Sequence, residues 1–261
     1  MKDVGATQPA FGQSDLHIHT RASDGLMEVD ELLAHVEQHT DLDVIAVTDH
    51  DVLDASLRAR DLAAKRRLRC EGITGMEVTT ADGHLLALFI DQPVASHRPA
   101  SETVAAVHAL GGLCIAAHPL SWLSNSLNER VLGQLLDAPD AAGRIDGIET
   151  MNNTLPGSVG RKRCRQIAQA RQLPQTGGSD AHFLIAVGCG RTEFPGRTAA
   201  DLRRRIVENT CRPAVHRKVS LADIGLGRLW ALVYYKVVTR KKAPLPVRAM
   251  LRNVWRRGPK A

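Results

Sequence analysis

"SDLHIHTRASDG" (Ser14–Gly25) sets two histidines either side of one isoleucine, with an acid before them and a second acid five residues after His19. Side chains alternate between the faces of a strand, so His17 and His19 share one face and Ile18 takes the other. A single pair of this kind suits a solvated strand end as well as it suits part of a metal site. The rest of the chain separates the two readings. Short apolar runs recur at "VIAVT" (44–48), "LLALFI" (85–90), "LCIAA" (113–117) and "GIET" (147–150), each of buried-strand length. Between them Val29, Leu32, Leu33 and Val36 repeat at helical spacing, as do Val104, Val107 and Leu110. Ser101 with Glu102, and Thr198 with Asp201, predict helix starts. Strands alternating with helices predict an α/β fold with a largely parallel sheet, open or closed into a barrel. "EVTTADGHLLALFI" (77–90) predicts a hairpin instead, because Asp-Gly falls between two β-prone runs.

Metal-type side chains collect at the ends of these strands. His17 and His19 end the first, Asp49 and His50 follow "VIAVT", and Glu77 closes "GITGM". His84 opens the strand after the hairpin, His118 follows "LCIAA", Glu149 ends "IDGIE", and "GGSDAH" carries Asp180 and His182. In parallel α/β folds the C-terminal strand ends face one side, and the functional site sits there. Six of the eleven histidines occupy such positions, while His35, His39, His97, His108 and His216 do not. Any one of these residues alone is more simply a solvated or capping group. Their repetition points to metal, and imidazole with carboxylate suits Zn²⁺, Mn²⁺ and Fe²⁺. There are too many candidates for one tetrahedral ion, so a multinuclear site is expected.

The motifs "DLHIHTRASDG", "VIAVTDHD", "GMEVTT…GHLLALF", "AAHP", "IETMN" and "GGSDAH" together resemble the PHP (polymerase and histidinol phosphatase) superfamily of metal-dependent phosphoesterases, over about residues 14–208. The resemblance implies a distorted (β/α)7 TIM-like barrel holding two or three divalent ions, commonly Mn, Zn or Fe. Carried over motif by motif, it assigns His17, His19, Glu77 and Asp180 to a first ion. Asp24, His50 and His182 would hold a second, and Glu77, bridging, with His84 and His118 a third. Asp15, Asp49 and Glu149 would be the carboxylates that orient ligating histidines, although Glu149 is equally a plain strand-end acid. His50, His182 and Asp49 are the candidates to protonate a leaving group. Asn152, Arg21, Arg161, Lys162 and Arg191 are candidates to contact a phosphorylated small molecule or nucleotide, each arginine or lysine also reading as an ordinary surface charge.

The expected reaction is hydrolysis of a phosphate ester, mono- or diester, by a metal-activated water, with a nucleotide or short nucleic-acid end among the substrates considered. No GxSxG, P-loop or GxGxxG occurs. An amidohydrolase-type metal hydrolase is the alternative enzyme, but such enzymes often use a bridging lysine after a barrel strand, and no lysine follows an apolar run here. A non-catalytic PHP module that binds nucleic acid is the third reading, and filled ligand positions count against it. Only 28 positions separate Ile90 from His118, enough for one helix and no inserted domain.

Bulk properties divide the chain. The formal net charge is +6, yet no acidic residue follows Asp223, whereas ten Lys and Arg do. Residues 1–223 hold 24 basic and 28 acidic residues, so the body is mildly acidic and the tail basic. The expected division is a lead-in (1–13), the PHP domain (14–222) and a basic, amphipathic, helical C-terminal extension (223–261). In that tail Leu229, Trp230, Leu232, Val233 and Tyr234, then Val247, Met250, Leu251 and Val254, are apolar with arginines between. It reads as a helix packed on the body, as a surface helix on anionic lipid, or as an arm for nucleic acid. The five cysteines form no CxxC pair, and no secretory or membrane-spanning segment is evident. A cytoplasmic protein, peripheral to the membrane if the tail meets lipid, is expected.

Overall fold

The computed structural model describes residues 11–227 and residue 230. Its strands are β1 (Phe11–Ile18), β2 (Val44–Val47), β3 (Glu71–Ile73), β4 (Gly75–Thr79), β5 (His84–Leu88), β6 (Leu113–Ala116), β7 (Gly147–Asn152), β8 (Gln175–Gly178), β9 (Gly190–Pro195) and β10 (Arg212–Val215). The helices are α1 (Val29–His39), α2 (Asp54–Arg66), α3 (Ala100–Ala109), α4 (Glu129–Leu136), α5 (Leu155–Ser158), α6 (Arg161–Ala170), α7 (Ala199–Val207) and α8 (Leu221–Ile224). Helix α1 buries the apolar stripe Val29, Leu32, Leu33 and Val36, and its first turn is closed by a capping box between Glu28 and Glu31. Helix α7 begins at the expected Thr198–Asp201 box. The Asp-Gly hairpin forms as β4 against β5, pairing Glu77 with Leu86 and Thr79 with His84.

The strands make two five-stranded sheets, ordered β10-β9-β1-β2-β3 and β4-β5-β6-β7-β8. Leu16, Val44, Ala46, Leu86, Leu88 and Ile115 meet between the sheets as an interior floor. Alternate residues of the same strands face outward onto helices. Ile45 and Val47 pack with α1 and α2, while Leu85, Ala87 and Cys114 pack with α3 and α4.

The expected distorted (β/α)7 TIM-like barrel takes the form of this two-sheet α/β arrangement, with no closed barrel among the described residues. Strand β3 takes the free edge of β2, and β9 pairs antiparallel with β1. The second sheet meets the first at isolated bridges, His50 with Glu77 and Ile18 with Ala181. Both seams fall among the candidate ligands. The basic tail beyond residue 227, residue 230 apart, lies outside the described residues, as does the lead-in before residue 11. Among the described residues no helix is long and apolar enough to cross a membrane.

Candidate metal centre

A bulge in β1 prepares the site. The register with β2 slips between Asp15 and Ile18, so strict alternation is lost there. Leu16 packs into the interior floor, the adjacent His17 also turns inward, and Ile18 faces α1. A second bulge, between Glu149 and Met151 of β7, lies beside another site carboxylate. The chain approaches itself so closely here that only glycine fits at 178, where a Cβ would lie 2.6 Å from the Cβ of His17. Asp180 and His118 adopt positive φ, 51° and 29°, a conformation that non-glycine residues hold only where surrounding structure imposes it.

The nine expected ligands, His17, His19, Asp24, His50, Glu77, His84, His118, Asp180 and His182, converge from both sheets. Glu77, buried on β4, lies at the middle. Its Oε1 is 2.7 Å from His84 Nδ1 and 3.1 Å from His118 Nε2. Its Oε2 is 3.3 Å from Nε2 of both His17 and His19 and 3.2 Å from His50 Nδ1. Asp180 Oδ1 is 3.2 Å from His19 Nε2 and 3.6 Å from His182 Nδ1. Asp24 lies 3.2 Å from His182 Nε2 and 3.7 Å from His50 Nε2. Four compact sets have metal-holding geometry: His17–His19–Glu77, His17–His118–Asp180, His19–Asp24–His182 and His50–Glu77–His84. Glu77 thus faces imidazoles on both of its oxygens, whereas His50 groups more tightly with Glu77 and His84 than with Asp24 and His182.

The far sides of the imidazoles decide what the near sides offer. His17 Nδ1–H donates to Glu149 Oε1 at 3.0 Å, leaving Nε2 toward the cluster. Ser126 gives its hydroxyl hydrogen to the carbonyl of His118 and so accepts from His118 Nδ1–H at 2.9 Å, which again leaves Nε2 inward. His182 Nδ1–H donates to the carbonyl of Asp180 at 3.0 Å, with the same result. This is the arrangement that metal-binding histidines use. Nε2 of His17, both ring nitrogens of His19, Nδ1 of His50 and His84, and Nε2 of His182 are buried without a hydrogen-bond partner. Each such group costs about 1–3 kcal/mol when left unpaired, a cost that a coordinated cation removes. The donor set therefore fits divalent metal.

Charge points the same way. Burial favours neutral His17, yet Glu149, Asp180 and Glu77 override it and hold its pKa well above the ordinary imidazole value. Burial opposes charge on His19 too, but Asp180 and Glu77 prevail and push its pKa up to about 10. Burial would raise Glu77 and Asp180, and the surrounding imidazoles instead keep both well below the usual carboxylate range. Asp24 is lowered in the same manner, with His182 the chief opponent of burial. His50 is the exception, its pKa pushed down to about 3 by burial despite Glu77. The cluster is a set of fixed carboxylates that needs positive charge, which protons on His17 and His19 supply in the absence of a metal ion.

The remaining candidates have other tasks. Glu149 reaches His17 through Oε1 and the backbone N–H of His118 through Oε2, at 2.8 Å. Asn152 donates to Glu149 at 3.0 Å and to Asp180 at 3.2 Å, so it braces carboxylates. Asp15 does not orient an imidazole. Its carboxylate accepts the backbone N–H groups of Ser179 (2.9 Å), Gly188 (2.8 Å) and His17 (3.3 Å), and burial still pushes its pKa up to about 6. Asp49 is likewise not free to pass a proton. It accepts from the Thr20 N–H at 2.7 Å and from the Thr20 and Ser23 hydroxyls at 2.5 Å, tying down the loop that carries Asp24. The three arginines make their contacts elsewhere. Arg21 donates to the Leu26 carbonyl, Arg161 to the Ser158 carbonyl, and Arg191 is buried against Asp41 at 2.6 Å. Ser126, Thr20 and Ser23 escaped sequence reasoning because hydroxyls carry no metal-type signal and act through contacts set by the fold.

The PHP-associated family model matches residues 161–211. An uncharacterised protein of Methanocaldococcus jannaschii is 28% identical over 151 residues, 54% of this chain and 81% of that protein. The 5′-3′ exoribonuclease Rnm of Salmonella typhimurium is 37% identical over 81 residues, 30% of this chain and 27% of the enzyme. Among solved structures, a two-domain protein from Bacteroides vulgatus containing a predicted PHP-like metal-dependent phosphoesterase superposes with a TM-score of 0.62. It is 21% identical, over 80% of this chain and 66% of that one, a likeness of fold. The chain thus spans most of the archaeal relative but only about a quarter of the ribonuclease. In its PHP-associated segment and its fold, the chain is similar to PHP-like metal-dependent phosphoesterases.

Proposed function

We propose that the chain hydrolyses a phosphate ester, and that residues 14–222 form the catalytic body. One observation carries the reading: six imidazoles, four of them buried, and three carboxylates converge from both sheets, and five of the imidazoles hold a buried ring nitrogen without a hydrogen-bond partner. Two or three divalent ions of Mn, Zn or Fe, when bound, would supply Lewis acidity toward phosphoryl oxygens and lower the pKa of a water. His17, His19, Glu77 and Asp180 would hold one ion, Asp24 and His182 with His50 another, and His84 and His118 with Glu77 a third. Glu149, Ser126 and the Asp180 carbonyl keep the three imidazoles they touch in the tautomer that presents Nε2 inward. Asp49 and Asp15 hold the loops, leaving His50 and His182, on either side of Asp24, to move a proton. His50 has the more exposed side chain of the two, 27% against 9%, and stays neutral at pH 7 as the chain stands. That state suits a ligand or a proton acceptor better than a donor. Similarity to an exoribonuclease over 81 residues supports a nucleotide or short nucleic-acid end as substrate.

The test is Mn²⁺- or Zn²⁺-dependent hydrolysis of an aryl phosphate mono- or diester, abolished by chelator. Asp180→Ala and His50→Ala should each lower the rate about 100-fold or more, with an unchanged circular dichroism spectrum. Fully metallated protein that turns over no ester in a broad mono- and diester panel would sink the proposal.

A further inference from the structure

Arg21 and Arg191 do share a site, though not the metal centre. Both line a cavity of about 890 Å³ that no residue of the ligand cluster lines. Its walls come from separate parts of the fold. Helix α1 contributes His35 and His39, the end of β10 is followed there by His216 and Arg217, and Arg21 belongs to the loop carrying Asp24. Apolar surface is supplied by Leu26, Met27, Phe183, Leu184 and Val187.

Three arginines and three histidines line the cavity, and Glu28, beside it, lies 3.9 Å from Arg21 Nε. Glu31 and Asp41 are the acids of the lining. Asp41 is engaged by Arg191, and Glu31 accepts the Glu28 N–H at 3.0 Å. Arg217 donates Nη2 to the Ile185 carbonyl at 2.7 Å, a neutral partner that leaves its charge in place. The rings of His35 and His39 lie 5.2 Å apart. Burial lowers the pKa of His35, and the neighbouring His39 and Arg217 lower it further. Arginines and imidazoles gathered in this way offer N–H donors suited to an anionic ligand. The chain's own C-terminal segment does not answer that description, since it has ten basic residues and no acid after Asp223.

We propose that this cavity is a second ligand site, independent of the metal centre, for an organic phosphate whose phosphoryl group meets Arg21, Arg217 and the histidines. Inorganic phosphate would leave most of the volume unfilled and the apolar wall wet, whereas cavities of this size suit small organic ligands. Occupancy also touches the machinery described above, because the Leu26 N–H donates to the His182 carbonyl at 2.9 Å. A ligand on Arg21 and Leu26 thus rests on the loop that presents Asp24.

Phenylphosphonate tests this, because its C–P bond resists hydrolysis and it pairs an anionic head with an apolar ring. Calorimetric titration of the full-length, metal-loaded chain should show two binding events. His35→Ala with Arg217→Ala should abolish one, and Asp180→Ala the other. Leu184→Trp, which fills the cavity without removing charge, should abolish the same event as the first pair, and Arg217→Lys should retain it. Inorganic phosphate should bind the cavity at least tenfold more weakly than phenylphosphonate. A single event lost in Asp180→Ala and kept in His35→Ala/Arg217→Ala, or no event at all, overturns the site. A cavity event without a metal-centre event supports it and counts against the hydrolase reading alone.

Discussion

Glu77 divides its oxygens between two groups of imidazoles, Oε1 toward His84 and His118 and Oε2 toward His17, His19 and His50. Glu77→Gln keeps the shape and removes the charge that all five share. The expected result is loss of bound metal, read by elemental analysis, with hydrolysis reduced about 100-fold or more. His19 contributes to the pH behaviour of the metal-free chain. Its folded pKa of about 10 exceeds the ordinary 6.5. The stabilisation it contributes is therefore complete below about pH 6.5 and is lost as pH rises toward 10. Chelated protein should melt at progressively lower temperature from pH 7 to 9.5, while metal-loaded protein should change less. Because bound metal displaces these protons, binding at pH 7.5 should release protons, detected as a binding enthalpy that varies with the buffer's ionisation enthalpy.

The bulges in β1 and β7 are the elements that turn a strand end into a site. Gly178, at the end of β8, lets β8 approach both, since a Cβ there would sit 2.6 Å from the Cβ of His17 and 2.7 Å from Glu149 Oε1. Gly178→Ala should cost about 1–3 kcal/mol, seen in chemical denaturation, and should weaken metal binding because His17 and Glu149 must shift. The strands themselves were legible, because apolar runs such as "VIAVT" are long, bounded and followed by polar groups. So were the Asp-Gly hairpin and the convergence implied by His-x-His. The one-residue slip between Asp15 and Ile18 was not, since an apolar pattern does not record the register in which a strand pairs. Nor were the tasks of Asp15 and Asp49. Their motifs look like metal chemistry, but Asp15 meets Ser179 and Gly188, more than 160 residues away, and Asp49 meets Thr20 and Ser23 on a different loop. Arg191 meets Asp41 across a similar distance in sequence, so its charge was read as available when the fold had already used it.

At the scale of the whole molecule, the two sheets touch at His50–Glu77 and Ile18–Ala181, seams formed by ligands or their neighbours. His17, His19 and His50 belong to the β1–β2 side, and Glu77, His84 and His118 to the β4–β6 side. A metal ion held by these residues would link two sheets that continuous backbone ladders do not join. Metal should therefore act as a clip between sheets as well as a reagent. Binding to the folded chain alone stabilises by about 2.7 kcal/mol at a hundredfold excess over Kd, and this gain should concentrate where the sheets meet. Chelation should lower the melting temperature by several degrees. In hydrogen exchange it should deprotect the Glu77 amide, which bonds to the Thr48 and Asp49 carbonyls across one seam, and the His19 and Ala181 amides at the other. The β1–β9 ladder within the first sheet should keep its protection. Uniform loss of protection across both sheets would instead mean that the metal stabilises the fold without regard to the seam.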